Sequence, residues 1–175
     1  AYEERLQRLL AMLDRLVDER SQLLGEAAAN SLWEYNERHP EQALPAVLVV
    51  IDNFADLTEN YEALVETTIM PLVRRSISAG VCFVVSANAP NNMPSKLYAL
   101  FGERITFKQS NTDRLLDIVG RGAMEIDDIP GRGYIRIGKQ PLLFQAALPV
   151  GIFGGEGGRD TLVEADEVRL MGEQM

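Results

Sequence analysis

The sequence has one cysteine, one histidine and no long hydrophobic run. A single cysteine excludes an internal disulfide framework and fits a reducing compartment. Cys82 lies inside the apolar stretch VCFVV, which favours a small core residue over a nucleophile. His39 has no cysteine or histidine neighbour, so a surface loop is expected rather than a metal site. No apolar run approaches the roughly 20 residues that span a bilayer and no signal segment is present, so we expect no membrane insertion by this segment.

Positive charge is also scarce. The chain carries 17 Lys and Arg residues against 26 Asp and Glu residues, which gives a net charge of −9. Proteins that bind nucleic acid usually have a basic surface patch, because neutralising the phosphates supplies most of the binding affinity. The segment RGAMEIDDIPGR, like the rest of the chain, mixes both signs. We therefore expect no direct nucleic acid binding.

The first part of the chain has the spacing of an amphipathic helix. Apolar residues recur at helical intervals from Tyr2 to Leu24, and the positions between them are mostly charged or amide residues. The pattern predicts a helix that covers a core. A coiled-coil or partner-binding helix is the alternative, although the periodicity lasts only about three heptads and Arg20 interrupts it. Gly25 weakens the helix, and residues 1–40 are assigned to this helical segment.

The middle of the chain alternates helices with apolar strands. β-branched runs predict buried strands at residues 46–51 and 81–87. The helix between them, residues 58–78, should bend or begin a turn at Pro71. Because helices alternate with strands, the sequence predicts an α/β fold with a mostly parallel sheet flanked by helices. The remaining predicted elements are helices at 95–102 and 112–119 and strands at 104–109, 133–138 and 142–148.

The composition changes after residue 150. Residues 41–150 are assigned to the α/β core, and residues 151–175 to a glycine-rich linker followed by the start of a helix. This ending indicates a connection toward a following module.

One predicted strand ends on a carboxylate. The stretch VLVVIDNFADL runs five apolar residues into Asp52, which is followed by Asn53. The carboxyl end of a parallel strand is where α/β sheets place their ligands. In nucleotide-hydrolysing proteins such an aspartate holds Mg²⁺, and a glutamate after it polarises the attacking water. Asparagine keeps a similar shape but cannot accept the proton. An aspartate that only caps the next turn is the alternative.

Four motifs in order resemble the second half of an FtsK/SpoIIIE-type motor ATPase domain. They are NSLWEYNE at 30–37, VLVVIDNFADL at 47–57, SAGVCFVVSANAP at 78–90 and RITF at 104–107. The resemblance covers most of the chain and implies a RecA-like, P-loop NTPase-type fold that holds the Walker B half and is incomplete at its N-terminal side. EIDDIPGRGYIRIGKQPLLFQAAL, residues 125–148, is most similar to type VII secretion motor proteins, and the DNA-pumping branch stays open.

Departures from the family pattern concentrate at the site. Asn53 stands where the catalytic glutamate is expected, and Asn88 stands at the sensor glutamine position. No residue is therefore assigned as catalytic; the resemblance implies nucleotide contacts from Asp52, Asn53 and Asn88, with Asp52 holding Mg²⁺ if nucleotide binds. The other replaced positions are Ala87 for threonine, Ala89 for arginine, Ile77 for arginine and Cys82 for histidine, while Arg114 is one place from an expected arginine and receives no role.

A phosphate-binding loop is missing from the sequence. There is no G-x-x-x-x-G-K-[ST], so the chain supplies neither the backbone cradle nor the lysine that hold phosphates. GEGGRD at 155–160 has the glycines without the lysine. In the family this loop precedes the region present here. ATP and Mg²⁺ are therefore expected in the intact module and not in this segment, which is not catalytic by itself even if its parent protein is an ATP-driven translocase.

Three functions stay open at this point. The first is a degenerate, non-hydrolytic module of a type VII-like protein-secretion motor, acting in assembly, regulation or substrate recognition. The second is a fragment of an active ATP-driven translocase, of protein or DNA, whose phosphate loop lies upstream. The third is a binding or scaffold domain that never meets nucleotide.

The resemblance also implies partners and a location. Motors of this family form rings, so we expect self-association as a dimer or ring, contacts with neighbouring ATPase modules, and secreted protein substrates or signal peptides. The parent protein would hold the segment in the cytoplasm at the inner face of the membrane. Without the central strand of such a sheet, Val47, Val49, Ile51 and Val84 are expected to expose an apolar edge, which the chain would close by rearranging its sheet or by dimerising.

Overall fold

The computed structural model describes residues 2–147, which divide into two compact units at the Phe101–Gly102 bond. Residues 148–175, with the predicted linker and final helix, lie outside the described residues. Across the described residues, every helix is too short or too polar to span a bilayer. The helices are α1 (Tyr2–Glu26), α2 (Leu32–Arg38), α3 (Phe54–Leu64), α4 (Met70–Ser76), α5 (Ser95–Tyr98) and α6 (Thr112–Val119), and the strands are β1 (Val47–Ile51), β2 (Val81–Val85), β3 (Arg104–Phe107), β4 (Arg132–Ile137) and β5 (Gln140–Gln145).

Helix α1 is amphipathic, as predicted, and it forms one wall of the core of the first unit. Leu10, Leu13 and Val17 recur at three- and four-residue spacing and are buried. They pack in one hydrophobic cluster with Phe54 of α3 and Leu72 of α4. The helix therefore owes its stability to the core that its apolar face covers rather than to helix propensity alone.

Arg20 of α1 is buried rather than an interruption of the helical pattern. Its side chain is 7% exposed. Nη1 donates to the carbonyl of Ala79 at 3.0 Å, and Nη2 donates to the carbonyl of Pro45 at 2.8 Å. These carbonyls belong to the segments that lead into β2 and β1. The planar guanidinium fork can bond two acceptors at once, so one side chain fastens α1 to the entrances of both strands.

Strands β1 and β2 form a parallel pair, in register from Val47 opposite Val81 to Ile51 opposite Val85. The connection between them is α3, a π-helical turn at Val65–Ile69, and α4. A helical crossover is what a parallel pair requires, since the chain must return to the same end of the sheet. The first unit therefore confirms the predicted parallel strands and the helix between them.

The two faces of β1 differ in burial. Val47, Val49 and Ile51 are partly buried and pack against the core of the first unit, so the expectation that they are exposed was wrong. The exposed apolar face carries the alternate residues instead: Leu48 is 63% exposed and Val50 is 65% exposed. Val84 of β2, at 50% exposed, was correctly expected to be open. The physical reason is the two-residue period of a strand, which sends neighbouring side chains to opposite faces.

Pro71 lies in the irregular helical connection between β1 and β2. Proline lacks the N–H that would bond the carbonyl four residues earlier, and its ring crowds that carbonyl. The chain adopts a π-helical turn at Val65–Ile69, and the proline then occupies the first turn of α4. The kink in this connection lies earlier, at Tyr61, which has φ −141° and ψ 41°.

The second unit contains an antiparallel sheet with the order β3–β4–β5. Strands β4 and β5 are joined by the two residues Gly138 and Lys139, and Gly138 has φ +62°. So short a connection can only join antiparallel neighbours. The prediction of a mostly parallel sheet therefore holds for β1 and β2 and is wrong for β3, β4 and β5.

Only one face of the antiparallel sheet is covered by α6. Leu115 and Val119 of α6 pack with Tyr134 of β4 in a buried cluster. The opposite face is apolar and open in the described structure of this unit. Its exposed members are Ile105, Phe107, Ile137 and Leu142.

Gly80 occupies the tight turn between α4 and β2. Its φ is +71°, and an added Cβ would lie 2.1 Å from Cδ2 of Leu32. Its carbonyl accepts a 2.9 Å hydrogen bond from the N–H of Val47, the first residue of β1. Backbone conformation and the close approach of α2 both require glycine here.

We expect Arg20→Ala to lower the free energy of unfolding of the first unit by about 2 kcal/mol, because two carbonyls lose their donors. Urea unfolding followed by fluorescence of Trp33, which lies in α2, measures the change. Arg15→Ala, an exposed arginine on the same helix, is the matched control and should shift stability by no more than about 0.5 kcal/mol. Equal effects of the two substitutions would contradict the role of Arg20.

Gly80→Ala should lower the free energy of unfolding by about 2–4 kcal/mol, since it combines left-handed strain with a clash against Leu32. The same urea titration gives the value. Gly25→Ala is the control, because a Cβ there meets nothing within 4 Å and alanine favours the helix. It should raise stability by about 0.5–1 kcal/mol. A tolerated Gly80→Ala would rule out the packing described for this turn.

Candidate functional site

The candidate site lies where β1 and β2 end side by side. Asp52 follows the last residue of β1, and Ser86 follows the last residue of β2. Parallel strands bring their carboxyl ends to one edge of a sheet. The hydroxyl of Ser86 donates a hydrogen bond to Oδ1 of the exposed Asp52 carboxylate. The sequence thus located the aspartate correctly at an open strand end.

Ser86 makes hydrogen bonds to each residue from Ile51 to Phe54, the turn at the end of β1. Its N–H donates to the carbonyl of Ile51, and its carbonyl accepts from the N–H of Phe54, both at 2.9 Å. Its Oγ accepts from the N–H of Asn53 at 2.9 Å while donating to Asp52. The turn from Ile51 to Phe54 is therefore fastened to the end of the neighbouring strand.

Asn53 has a left-handed backbone, with φ 52° and ψ 65°. Asparagine enters this conformation more readily than other residues with a side chain, apart from aspartate. It precedes α3 as the N-cap residue, yet its side chain makes no capping hydrogen bond. Its Oδ1 is buried and has no hydrogen-bond partner among the described residues. The side chain thus presents a buried acceptor beside Asp52 and no group that could act as a base.

Asn88 lies two residues beyond Ser86 on an exposed stretch. A 3₁₀ turn at Pro90–Asn92 follows it. The structure therefore joins Asp52, Asn53 and Ser86 by hydrogen bonds, and it leaves Asn88 on the open loop after β2. The nucleotide contact assigned to Asn88 stays a prediction.

The other singled-out residues lie away from this cluster. Cys82 is half-buried and pairs with Leu48 on the outer face of the parallel strands, so its assignment to the core was wrong. Ile77 is exposed after α4, and Arg114 is exposed near the start of α6. His39 lies at the surface, as predicted, with its ring 4.8 Å from that of Tyr35.

The oxygen ligands at this strand end suit a cation site that is shared with a nucleotide. Within residues 2–147, no group of three or more His, Cys, Asp or Glu side chains could hold a metal by itself. Mg²⁺ suits a different arrangement, in which one or two carboxylates and the phosphates of a nucleotide share the coordination shell. A single exposed carboxylate at Asp52, oriented by a hydrogen bond, fits that arrangement. Asp52 would hold Mg²⁺, which would neutralise charge on the phosphates.

Ser86 is the site residue that the sequence interpretation missed. The signal was present: Ser86 ends the apolar run of β2 as Asp52 ends that of β1, and adjacent parallel strands place such residues together.

No protein-family model matches the chain. Among characterised relatives, EccC of the ESX secretion system of Thermomonospora curvata is 27% identical over 171 residues, covering 92% of this chain and 12% of that protein. EccC of Geobacillus thermodenitrificans is 23% identical over 134 residues, covering 77% and 9%. The DNA translocase FtsK of Helicobacter pylori is 26% identical over 135 residues, covering 69% and 16%. The chain thus spans a small part of the length of these relatives.

Two solved structures have the same fold. ATPases 2 and 3 of EssC from Geobacillus thermodenitrificans match with a TM-score of 0.81 and 22% identity, covering 99% of this chain and 32% of that one. ATPases 2 and 3 of Thermomonospora curvata EccC, in complex with a signal sequence peptide, match with a TM-score of 0.68 and 24% identity, covering 89% and 28%. The homologues of this chain are therefore the EccC and EssC ATPases of type VII secretion systems and FtsK, and its fold matches the FtsK/SpoIIIE-type ATPase module.

Proposed function

We propose that this chain is part of a degenerate, non-hydrolytic FtsK/SpoIIIE-like ATPase module of a type VII-like protein-secretion motor, acting in assembly, regulation or substrate recognition. The observation that carries the proposal is Asn53, which follows Asp52 where hydrolysis needs a general base. An amide oxygen has no useful basicity and the side chain no charge. Loss of a general base typically lowers a rate by roughly 10²–10⁴-fold.

Nucleotide binding is a separate matter from hydrolysis. Asp52 has the carboxylate that would bind Mg²⁺, and Ser86 donates a hydrogen bond to it. The phosphates would have to be held by a loop outside this sequence, because no G-x-x-x-x-G-K-[ST] occurs within it. The complete module would then be a RecA-like, P-loop NTPase-type fold to which this chain contributes the Walker B half.

A second function is favoured by the intact Asp52. A carboxylate that is exposed, oriented and at the end of a parallel strand is what an active ATP-driven translocase needs for its cation. In this alternative the chain is a fragment of such a translocase, and another residue or subunit supplies the base. The two proposals differ in whether the site turns over ATP, which a substitution at Asp52 decides.

The open apolar faces support a role in contacts with other protein segments. Leu48, Val50 and Val84 form one face in the first unit, and a second apolar face lies on the antiparallel sheet. Exposed apolar surface of this kind marks interaction sites in soluble proteins. We infer that neighbouring ATPase modules, further copies in a dimer or ring, and secreted substrates or signal peptides are the partners. The parent protein would hold the chain in the cytoplasm, at the inner face of the membrane.

In the intact polypeptide, Asp52→Ala is expected to leave steady-state ATP turnover unchanged, because this site does not hydrolyse ATP. Phosphate release measures turnover, and Glu59→Ala, an exposed carboxylate one turn into α3, is the matched control. If Asp52→Ala alone reduces turnover by tenfold or more, the non-hydrolytic proposal is wrong and the translocase alternative stands.

Substitutions at Asn53 should rank by their tolerance of the left-handed backbone. We expect Asn53→Gly to be neutral or stabilising, and Asn53→Ala and Asn53→Glu to lower the free energy of unfolding by about 1 kcal/mol. Urea unfolding with Trp33 fluorescence supplies the ranking. Asn53→Glu should also fail to raise ATP turnover in the intact polypeptide. A large rise in turnover would show that only the base was missing and would favour the alternative.

A further inference from the structure

The contacts of Ser86 separate into two kinds. The bonds from its own N–H to Ile51 and from Phe54 to its carbonyl belong to the backbone and survive any substitution of the side chain. The bonds to Asp52 and from Asn53 pass through the hydroxyl. The backbone therefore fastens the turn, and the hydroxyl acts on one carboxylate oxygen and one N–H. A change confined to the hydroxyl tests its role without releasing the turn.

A carboxylate on an exposed strand end has rotational freedom. The Asp52 side chain is exposed, and Ser86 supplies a hydrogen bond to its Oδ1. A donor that is itself fixed by the N–H of Asn53 restricts the rotamer of the aspartate, and it leaves the carboxylate group turned in one direction. Hydrogen-bonded neighbours that orient a ligating carboxylate typically contribute 10–100-fold to metal affinity.

We propose that Ser86 is a positioning residue that holds the Asp52 carboxylate for a divalent cation. The inference rests on the proposed site, in which Asp52 meets Mg²⁺. It goes beyond the proposed function because it assigns a role to a residue on the neighbouring strand. Ser86 itself does not bind the cation; it acts through Asp52. The predicted consequence is that cation binding depends on the Ser86 hydroxyl only while Asp52 is present.

The test uses Mn²⁺ at high concentration as the probe on the 175-residue chain, labelled with ¹⁵N, because one carboxylate without nucleotide phosphates binds a divalent cation only weakly. Paramagnetic broadening of the Asn53 and Phe54 amide signals during a Mn²⁺ titration reports binding at Asp52. Ser86→Ala should raise the Mn²⁺ concentration for half-broadening by about tenfold, in line with the loss of an orienting hydrogen bond. Ser86→Thr keeps the hydroxyl and should restore the original titration. Asp52→Asn should abolish the local broadening, with or without Ser86→Ala.

Amide hydrogen exchange on the same samples provides a readout that does not involve a cation. Ser86→Ala should accelerate exchange of the Asn53 amide, whose acceptor is the hydroxyl, by tenfold or more relative to the Phe54 amide, whose acceptor is the backbone carbonyl. Similar acceleration at both amides would indicate a general loosening of the turn and would overturn a specific role for the hydroxyl.

Three further outcomes contradict the inference. They are a Mn²⁺ titration unchanged by Ser86→Ala, an effect of Ser86→Ala that persists in the Asp52→Asn background, and an absence of local broadening in the unsubstituted chain. None of these decides whether ATP is hydrolysed, because the titration contains no nucleotide. Failure of this inference and failure of the proposed function are therefore distinguishable.

Discussion

The parallel pairing of β1 with β2 is the constraint on which the site depends. The pairing is in register to the last residue of each strand, and Ser86 extends it into the turn after β1. Because of that extension, Asp52 and Asn53 have fixed positions although they lie outside the strands. Arg20 acts at the opposite end, where it bonds the segments entering both strands. Arg20 at one end of the strand pair and Ser86 at the other thus hold the two strands in alignment.

Substitution and backbone conformation agree at Asn53. The amide of Asn53 supplies no base, and the left-handed turn accommodates asparagine readily. The buried Oδ1 of Asn53 has no partner among the described residues, and an unpaired buried acceptor typically costs about 1–3 kcal/mol. The turn therefore places a left-handed residue and an unsatisfied buried acceptor next to the Asp52 carboxylate.

The hydrophobic periodicity of the sequence predicted where helices and strands lie. It did not predict how all the strands pair. The spacing in α1 and the apolar runs of β1 and β2 reflect local burial, so the sequence predicts them. Two features could not be predicted in that way. The sequence prediction exchanged the exposed and buried faces of β1, because an all-apolar strand shows no alternation of polar and apolar residues. The antiparallel order of β3–β5 depends on the short Gly138–Lys139 connection. At the site, Asp52 followed from its position at a strand end, whereas Ser86 emerged only when the neighbouring strand was placed.

The open apolar faces have a consequence for how the chain behaves in solution. Leu48, Val50 and Val84 favour contact with other apolar surfaces, while a net charge of −9 keeps copies apart. Salt weakens the second effect and leaves the first intact, since charge repulsion is screened over about 10 Å at 0.1 M salt and apolar burial is not. We therefore expect this chain to stay dispersed best at low salt concentration. A protein whose copies associate through ion pairs would instead stay dispersed best at high salt concentration.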